Sequence, residues 1–236
     1  MAKRATDVYG GQDPRILAAY TVTEGAHHLQ LPAATVRSWV LGRSYPTRAG
    51  DRRFKPLTII ADPKGRLLSF QNLVEIHVLG ALRREHLVRL AAVREAVAYL
   101  RREFGTRHPL ADHQMLTDGK DLFVKRYGQL INASREGQLA LLEVLERYLA
   151  RVERDPRGAP IRLYPFAGLR EDEAKPVVID PRVEFGRPCL AGAGVPTSIV
   201  AERCKAGESI AALAHDYGME PKQIEGALRY ELRLAA

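Results

Sequence analysis

Residues 210–230, IAALAHDYGMEPKQIEGALRY, constrain the fold of this chain more than any other stretch. Ala214 is small where two helices would meet. Gly218 stands four positions on, flanked by Tyr217 and Met219, and Ile224 and Ala227 return as apolar locks on a second helix. That spacing belongs to two short helices joined by a tight turn, a helix-turn-helix. Residues 22–40 repeat it: Ala26, Leu29, Leu31, Val36 and Trp39 fall at the same offsets, with Gln30 at the turn position. If that turn requires a positive φ, glycine suits it best, and the C-terminal copy fits the pattern more closely.

Charge separates the two copies. Residues 1–70 hold 11 Lys/Arg against 5 Asp/Glu, whereas residues 175–236 hold 8 of each. Residues 31–60 alone carry Arg37, Arg43, Arg48, Arg52, Arg53 and Lys55 against one acid, Asp51. Phosphate contacts through Lys and Arg supply much of the affinity of a DNA binder. The N-terminal copy is therefore the expected DNA-binding element. With Val36 and Trp39 facing the core, Thr35, Arg37 and Ser38 would face the groove. The apolar runs around Asp-Pro-Lys-Gly in residues 56–70 predict a hairpin, which would complete a winged helix-turn-helix and bring Lys64 and Arg66 to the flanking backbone. The second helix of the C-terminal copy carries Glu220, Glu225 and Glu231. It predicts a trihelical protein-interaction unit rather than a groove reader.

The chain of 236 residues has room for two or three small cores. The fold class expected is mainly α with small β elements. Residues 1–15 read as a flexible arm, 16–85 as the winged helix-turn-helix and 86–156 as a helical middle region with a small β-sheet. Residues 157–176 read as a linker carrying one short strand, IRLYPF, and 177–236 as the C-terminal unit. Thr23 is a plausible cap for the first helix and Ser69 for the helix after the hairpin. Asp118-Gly119 and Tyr127-Gly128 predict turns between short strands in residues 114–133. Apolar stripes at Leu87, Leu90, Val97, Leu100 and Phe104, and at Leu139, Leu142, Leu145 and Leu149, predict helices and offer either dimer surfaces or core. Repressors usually pair on two half-sites, so a homodimer is expected.

Two resemblances add to this reading. TVRSWV, the basic segment after it and LLSFQNLVEI resemble the MerR-type winged helix over some 60 residues. The C-terminal stretch, residues 177–231, resembles the antitoxin family first described as a domain of unknown function. It shows, in order, an apolar strand, Asp180-Pro181, Gly186-Arg187-Pro188, a Gly-rich turn, Ala206-Gly207-Glu208-Ser209 and a helix-turn-helix ending in Ala227-Leu228-Arg229-Tyr230-Glu231. It departs at Ala191-Gly192-Ala193-Gly194, where many members have Gly-Thr-Arg or Gly-Thr-Gly, so their basic turn residue is missing. The resemblance implies a Vap-type antitoxin that binds and inhibits a PIN-domain ribonuclease toxin and represses its own operon by binding operator DNA. The alternative is a stand-alone MerR-like regulator responding to a small ligand.

A PIN active site is a cluster of carboxylates, and an arginine fork matches carboxylates well. Arg162 and Arg170, beside the apolar anchors Tyr164 and Phe166, and Arg187 are the candidate toxin contacts. The competing reading is that this segment packs the C-terminal unit onto the middle region. No catalytic set announces itself. Asp180 with Glu184, and His215 beside Asp216, could in principle bind a metal, but His215 and Asp216 stand one position apart on a helix and point different ways. The pairs His27-His28 and His108/His113 have no carboxylate at ligand spacing, and no phosphate-binding Gly-rich loop is present. No enzyme activity, metal or cofactor is expected. Cys189 and Cys204 read as two reduced thiols. No apolar run reaches the ~18 residues of a membrane span and no apolar leader opens the chain, so a cytoplasmic protein with no membrane partner is expected.

Overall fold

The computed structural model describes residues 9–47, 50–84, 90–166 and 175–232. It is a mainly helical α+β structure. Tyr20–Thr21 (β1) leads into Val22–His28 (α1), and Ala33–Leu41 (α2) follows a tight turn. The cap of α1 is Thr21, two residues before the expected Thr23. Glu24 N–H donates to Thr21 Oγ1 at 3.1 Å, and Thr21 N–H donates to Glu24 Oε2 at 2.8 Å. This reciprocal pair is a capping box.

The hairpin lies earlier than residues 56–70. It is formed by Arg43–Thr47 (β2) and Gly50–Phe54 (β3), paired antiparallel from Arg43↔Phe54 to Thr47↔Gly50. Burial explains the shift. RSYPT and GDRRF are polar enough to project into water. Leu57, Thr58 and Ile60 are instead buried. Leu67–Leu68 (β4) pairs with β1. The expected turn survives between them: Asp62 Oδ1 accepts from the N–H groups of Lys64 and Gly65.

Phe70–Arg84 (α3) is the axis of the main core. Ser69 caps it, accepting from Asn72 N–H at 3.2 Å. Apolar residues from Leu73 to Leu82 are buried on nearly every face, as a central helix requires. Its buried Glu75 accepts from the Thr58 hydroxyl and from His108 Nδ1 at 2.9 Å, which joins the winged region to the middle of the chain.

Leu90–Glu103 (α4), Asp118–Ile131 (α5) and Arg135–Leu149 (α6) follow; α6 packs on α3, and α5 packs on both α6 and α4. The short strands expected in residues 114–133 are absent: His113–Leu116 is a 3-10 turn and α5 follows. Gly119 and Gly128 are not turn residues but points of close helix packing. A Cβ at Gly119 would meet the Phe104 ring at 2.8 Å, and one at Gly128 would meet Gln138 at 2.7 Å. The apolar stripes of α4 and α6 serve as core. Val97, Leu100, Leu145 and Leu149 are buried, Leu139 is exposed, and Leu87 lies outside the described residues.

Val152–Arg154 (β5), Pro160–Leu163 (β6), Val177–Ile179 (β7) and Pro188–Leu190 (β8) form one antiparallel sheet in that order. The expected linker therefore contributes an inner strand. Thr197–Lys205 (α7), Ile210–Tyr217 (α8) and Pro221–Leu232 (α9) close a second core around Val200, Leu213, Ile224 and Tyr230. Residues 9–15 of the expected arm are tied down. Tyr9 donates its hydroxyl to Pro181 O at 2.6 Å, and Arg15 pairs with Asp13 at 2.7 Å and Asp155 at 3.1 Å.

Candidate nucleic-acid interface

The helix pairs α1–α2 and α8–α9 share the backbone bonds of their turns, residue for residue, at a constant offset. In the first, Gln30 N–H donates to His27 O at 2.9 Å and Leu31 N–H to Ala26 O at 2.9 Å. In the second, Gly218 N–H donates to His215 O at 3.2 Å and Met219 N–H to Ala214 O at 2.9 Å. Both turn residues are left-handed, Gln30 at φ 52 and Gly218 at φ 62. Gln30 thus adopts the conformation that glycine would ease. Its side chain has a second task, because Nε2 donates to Tyr230 O at 3.2 Å.

On α2 the division of faces follows the sequence. Val36, Trp39 and Val40 are buried, Arg37 is exposed, and Thr35 and Ser38 are half-buried beside it. Gly42 turns the chain from α2 into the wing at φ 77, and a Cβ there would lie 2.3 Å from Phe54 O. Arg43, Arg53 and Lys55 are exposed on or beside the hairpin. Arg43 opposes Phe54 and Ser44 opposes Arg53, so the two arginines fall on opposite faces of the ribbon. Arg52 stands opposite Tyr45 in the register, and Arg48 lies outside the described residues.

The root of the wing is fixed by α4. The Arg94 guanidinium sits 5.1 Å from the Phe54 ring centre and its Nε donates to Lys55 O at 2.7 Å. Leu57 N–H donates to Trp39 O at 2.7 Å. By contrast, no hydrogen bond or ion pair engages the side chains of Arg37, Arg43, Arg53 or Lys55 among the described residues. Lys64 and Arg66 are exposed on the Asp62 turn rather than on the wing.

The C-terminal copy carries different groups at the corresponding places. Glu225 occupies the place of Arg37, and Arg229 sits 4.0 Å from it. Gly226 occupies the place of Ser38 and presses on Pro176, whose Cβ would be 2.7 Å from an added Cβ. Arg203 is held by Glu208 Oε1 at 2.7 Å, Asp216 Oδ2 at 2.6 Å and the Tyr217 hydroxyl at 2.9 Å. The guanidinium holds the Glu208 carboxyl below its ordinary range. Tyr230 is buried and donates its hydroxyl to His28 O at 2.9 Å, which docks the end of α9 on the turn of the first copy. Burial, followed by the charge of His27, lowers the His28 imidazole to about 4, so the junction holds a neutral ring.

The candidate toxin contacts are scattered. Arg162 pairs with Asp180 and Glu153, both at 3.0 Å, and the Tyr164 hydroxyl donates to Glu153 at 2.8 Å. Phe166 packs on the rings of Tyr148 and His77, with the Arg151 guanidinium 4.4 Å from its centre. Arg162 and Tyr164 thus tie strands of the sheet to one another, and Phe166 packs the chain after β6 on α3 and α6. Arg170 lies outside the described residues.

Arg187 is exposed, at the end of the 3-10 turn Glu184–Gly186. That turn carries a residue no pattern in the sequence singles out. Glu184 and Phe185 are both left-handed, at φ 47 and φ 54. Each such residue costs roughly 1–2 kcal/mol. Phe185 is nevertheless 67% exposed.

Residues 177–230 match the family described as "Protein of unknown function (DUF433)". The sequence is similar to that of the putative antitoxin VapB45 of Mycobacterium tuberculosis, 31% identical over 228 residues, which cover 89% of this chain and 92% of the relative. It is also similar to the uncharacterized protein Rv2308 of the same organism, 27% identical over 221 residues, 89% of each chain. The crystal structure of Rv2018 from Mycobacterium tuberculosis has a similar fold, with a TM-score of 0.65 and 25% identity over 90% of this chain and 98% of that one.

Proposed function

The chain belongs to the family of the putative antitoxin VapB45, and from that premise we propose that it is the antitoxin of a toxin–antitoxin pair. In this reading it binds and inhibits a PIN-domain ribonuclease, has no catalytic role of its own and represses its operon by binding operator DNA as a homodimer in the cytoplasm. No helix among the described residues is long and apolar enough to cross a membrane.

The observation that carries the DNA-binding part is the set of unpaired cations on α2 and the wing, over a core-locked Val36 and Trp39. A helix-turn-helix lays its second helix in the major groove. Arg37 is then placed to reach a base edge or phosphate, with Thr35 and Ser38 beside it. Arg43, Arg53 and Lys55 meet the flanking backbone and release its counterions. Arg48 and Arg52 extend the same basic segment. Two half-sites about 34 Å apart would serve a dimer.

Two assays test the reading. A gel shift with the DNA upstream of its own gene is expected to show binding that weakens steeply with salt. Co-expression with the neighbouring reading frame is expected to relieve the growth arrest that frame causes alone. If the neighbour arrests growth and this chain neither binds nor rescues, the antitoxin reading is wrong.

A further inference from the structure

The segment Asp180–Arg187 is built more firmly than a surface loop requires. Asp180 anchors its base: Oδ2 accepts from Arg162 at 3.0 Å and Oδ1 from Arg182 N–H at 2.9 Å. Val183 N–H donates to Asp180 O, Gly186 N–H to Val183 O and Arg187 N–H to Glu184 O. At the far end, Gly186 lies so close to Tyr20 that an added Cβ would be 1.8 Å from its hydroxyl. The glycine is therefore explained by the docking of this turn on the N-terminal region. Phe185 is not. It adopts a left-handed conformation that bulky side chains resist. Two-thirds of it stays in water, and its ring meets that of Tyr9 edge-on with the centres 6.2 Å apart. Glycine or asparagine would make this turn with less strain and less exposed apolar surface. A strained, exposed aromatic on an over-determined loop is the pattern of a side chain kept for something other than folding.

We propose that the left-handed turn Glu184–Gly186 presents Phe185 as the anchor that docks this chain on its toxin, the ring entering an apolar pocket with carboxylates on its rim. The proposal rests on the antitoxin reading. Charge complementarity selects the partner. Arg182 and Arg187 flank the tip, both are exposed, and neither guanidinium is hydrogen-bonded or ion-paired among the described residues. An aromatic beside arginines is the composition of a protein-binding hot spot. An exposed aromatic ring gains most from a pocket that removes it from water, which favours a protein surface over a phosphate-lined groove. The loop is already fixed by its own hydrogen bonds, so binding would cost little ordering entropy.

The test uses the full chain and the purified product of the neighbouring toxin gene. Phe185→Asn is expected to leave the urea midpoint unchanged or higher and to weaken toxin binding at least about tenfold by calorimetry. Arg187→Glu is expected to weaken it by a similar factor, while Phe185→Tyr keeps most of the affinity. Equal toxin affinity for wild type and a folded Phe185→Asn overturns the anchor and leaves the antitoxin reading standing. A lowered midpoint overturns the premise that the ring is not there for folding. A loss of operator affinity in place of toxin affinity assigns the tip to DNA and overturns the proposal. A wild-type chain that does not bind the toxin overturns the antitoxin reading and this inference with it.

Discussion

The helix pairs α1–α2 and α8–α9 have the same turn bonds, a left-handed residue at the same place and apolar locks at the same positions, yet their outer faces differ. Arg37 corresponds to Glu225, and Ser38 to Gly226 pressed on Pro176. The cations of the first copy are unengaged. In the second, Arg229 lies 4.0 Å from Glu225, and on the preceding α7 Arg203 is held by two carboxylates and a phenol. The motif is thus a packing solution, and what lies on its outer face decides whether it can meet a polyanion. The two copies also touch. The end of α9 closes on the turn of α1–α2 through Tyr230 and Gln30.

That junction yields the largest expected effect. The His28 imidazole is lowered to about 4 from 6.5, chiefly by burial. The unfolded chain therefore takes up a proton that the folded chain refuses. Stability is fully present above pH 6.5 and is lost as the pH falls from there to about 4, by about 3 kcal/mol. Urea titrations across that window measure the slope, and His28→Leu is expected to flatten it. The same slope in that variant would place the titrating group elsewhere and leave the contact between the copies without this pH sensitivity.

Exchanging the charges tests the contrast directly. Arg37→Glu is expected to weaken operator binding about a hundredfold at moderate salt and to lower the salt slope by about 1, since a contact is replaced by repulsion. The reciprocal Glu225→Arg is expected to change operator affinity little, because Pro176 covers part of that face. A gain in affinity from Glu225→Arg would show that the second copy also reaches DNA. Exchanging the neighbouring position gives a smaller effect, read in stability. Gly226→Ser forces a Cβ against Pro176 and is expected to cost about 2 kcal/mol, whereas Ser38→Gly loses only the roughly 0.5–1 kcal/mol of a helical glycine.

Much of this was legible in the sequence, and the misses have physical causes. Both helix-turn-helix copies follow from spacing, because Ala26 and Ala214, or Val36 and Ile224, report local packing. The basic face follows from composition. The strands expected in residues 114–133 fail because a glycine marks a turn or a close helix crossing equally well, and only the facing residues, Phe104 and Gln138, decide which. The wing lies before residues 56–70 because Leu57 and Ile60 look like strand residues and are instead claimed by the core. Phe185, Tyr230 and Gln30 could not be read as a site. Their roles depend on what faces them across the fold: Tyr9, His28 and each other.

The smallest effect bears on the turn itself. A glutamine at φ 52 is tolerated at position 30, and its Nε2 bond to Tyr230 O is the compensation the structure offers. Gly218 has open space around an added Cβ, so a side chain there would meet no clash and make no such bond. Gly218→Gln should therefore show the bare cost of a left-handed non-glycine residue, about 1 kcal/mol. Gln30→Gly removes that strain but also the bond, and the two changes are expected to cancel to within about 0.5 kcal/mol. Urea midpoints of the two variants against wild type decide it. If Gly218→Gln costs nothing, the turn tolerates glutamine by itself, and the Gln30–Tyr230 contact is not what allows the first copy to dispense with glycine.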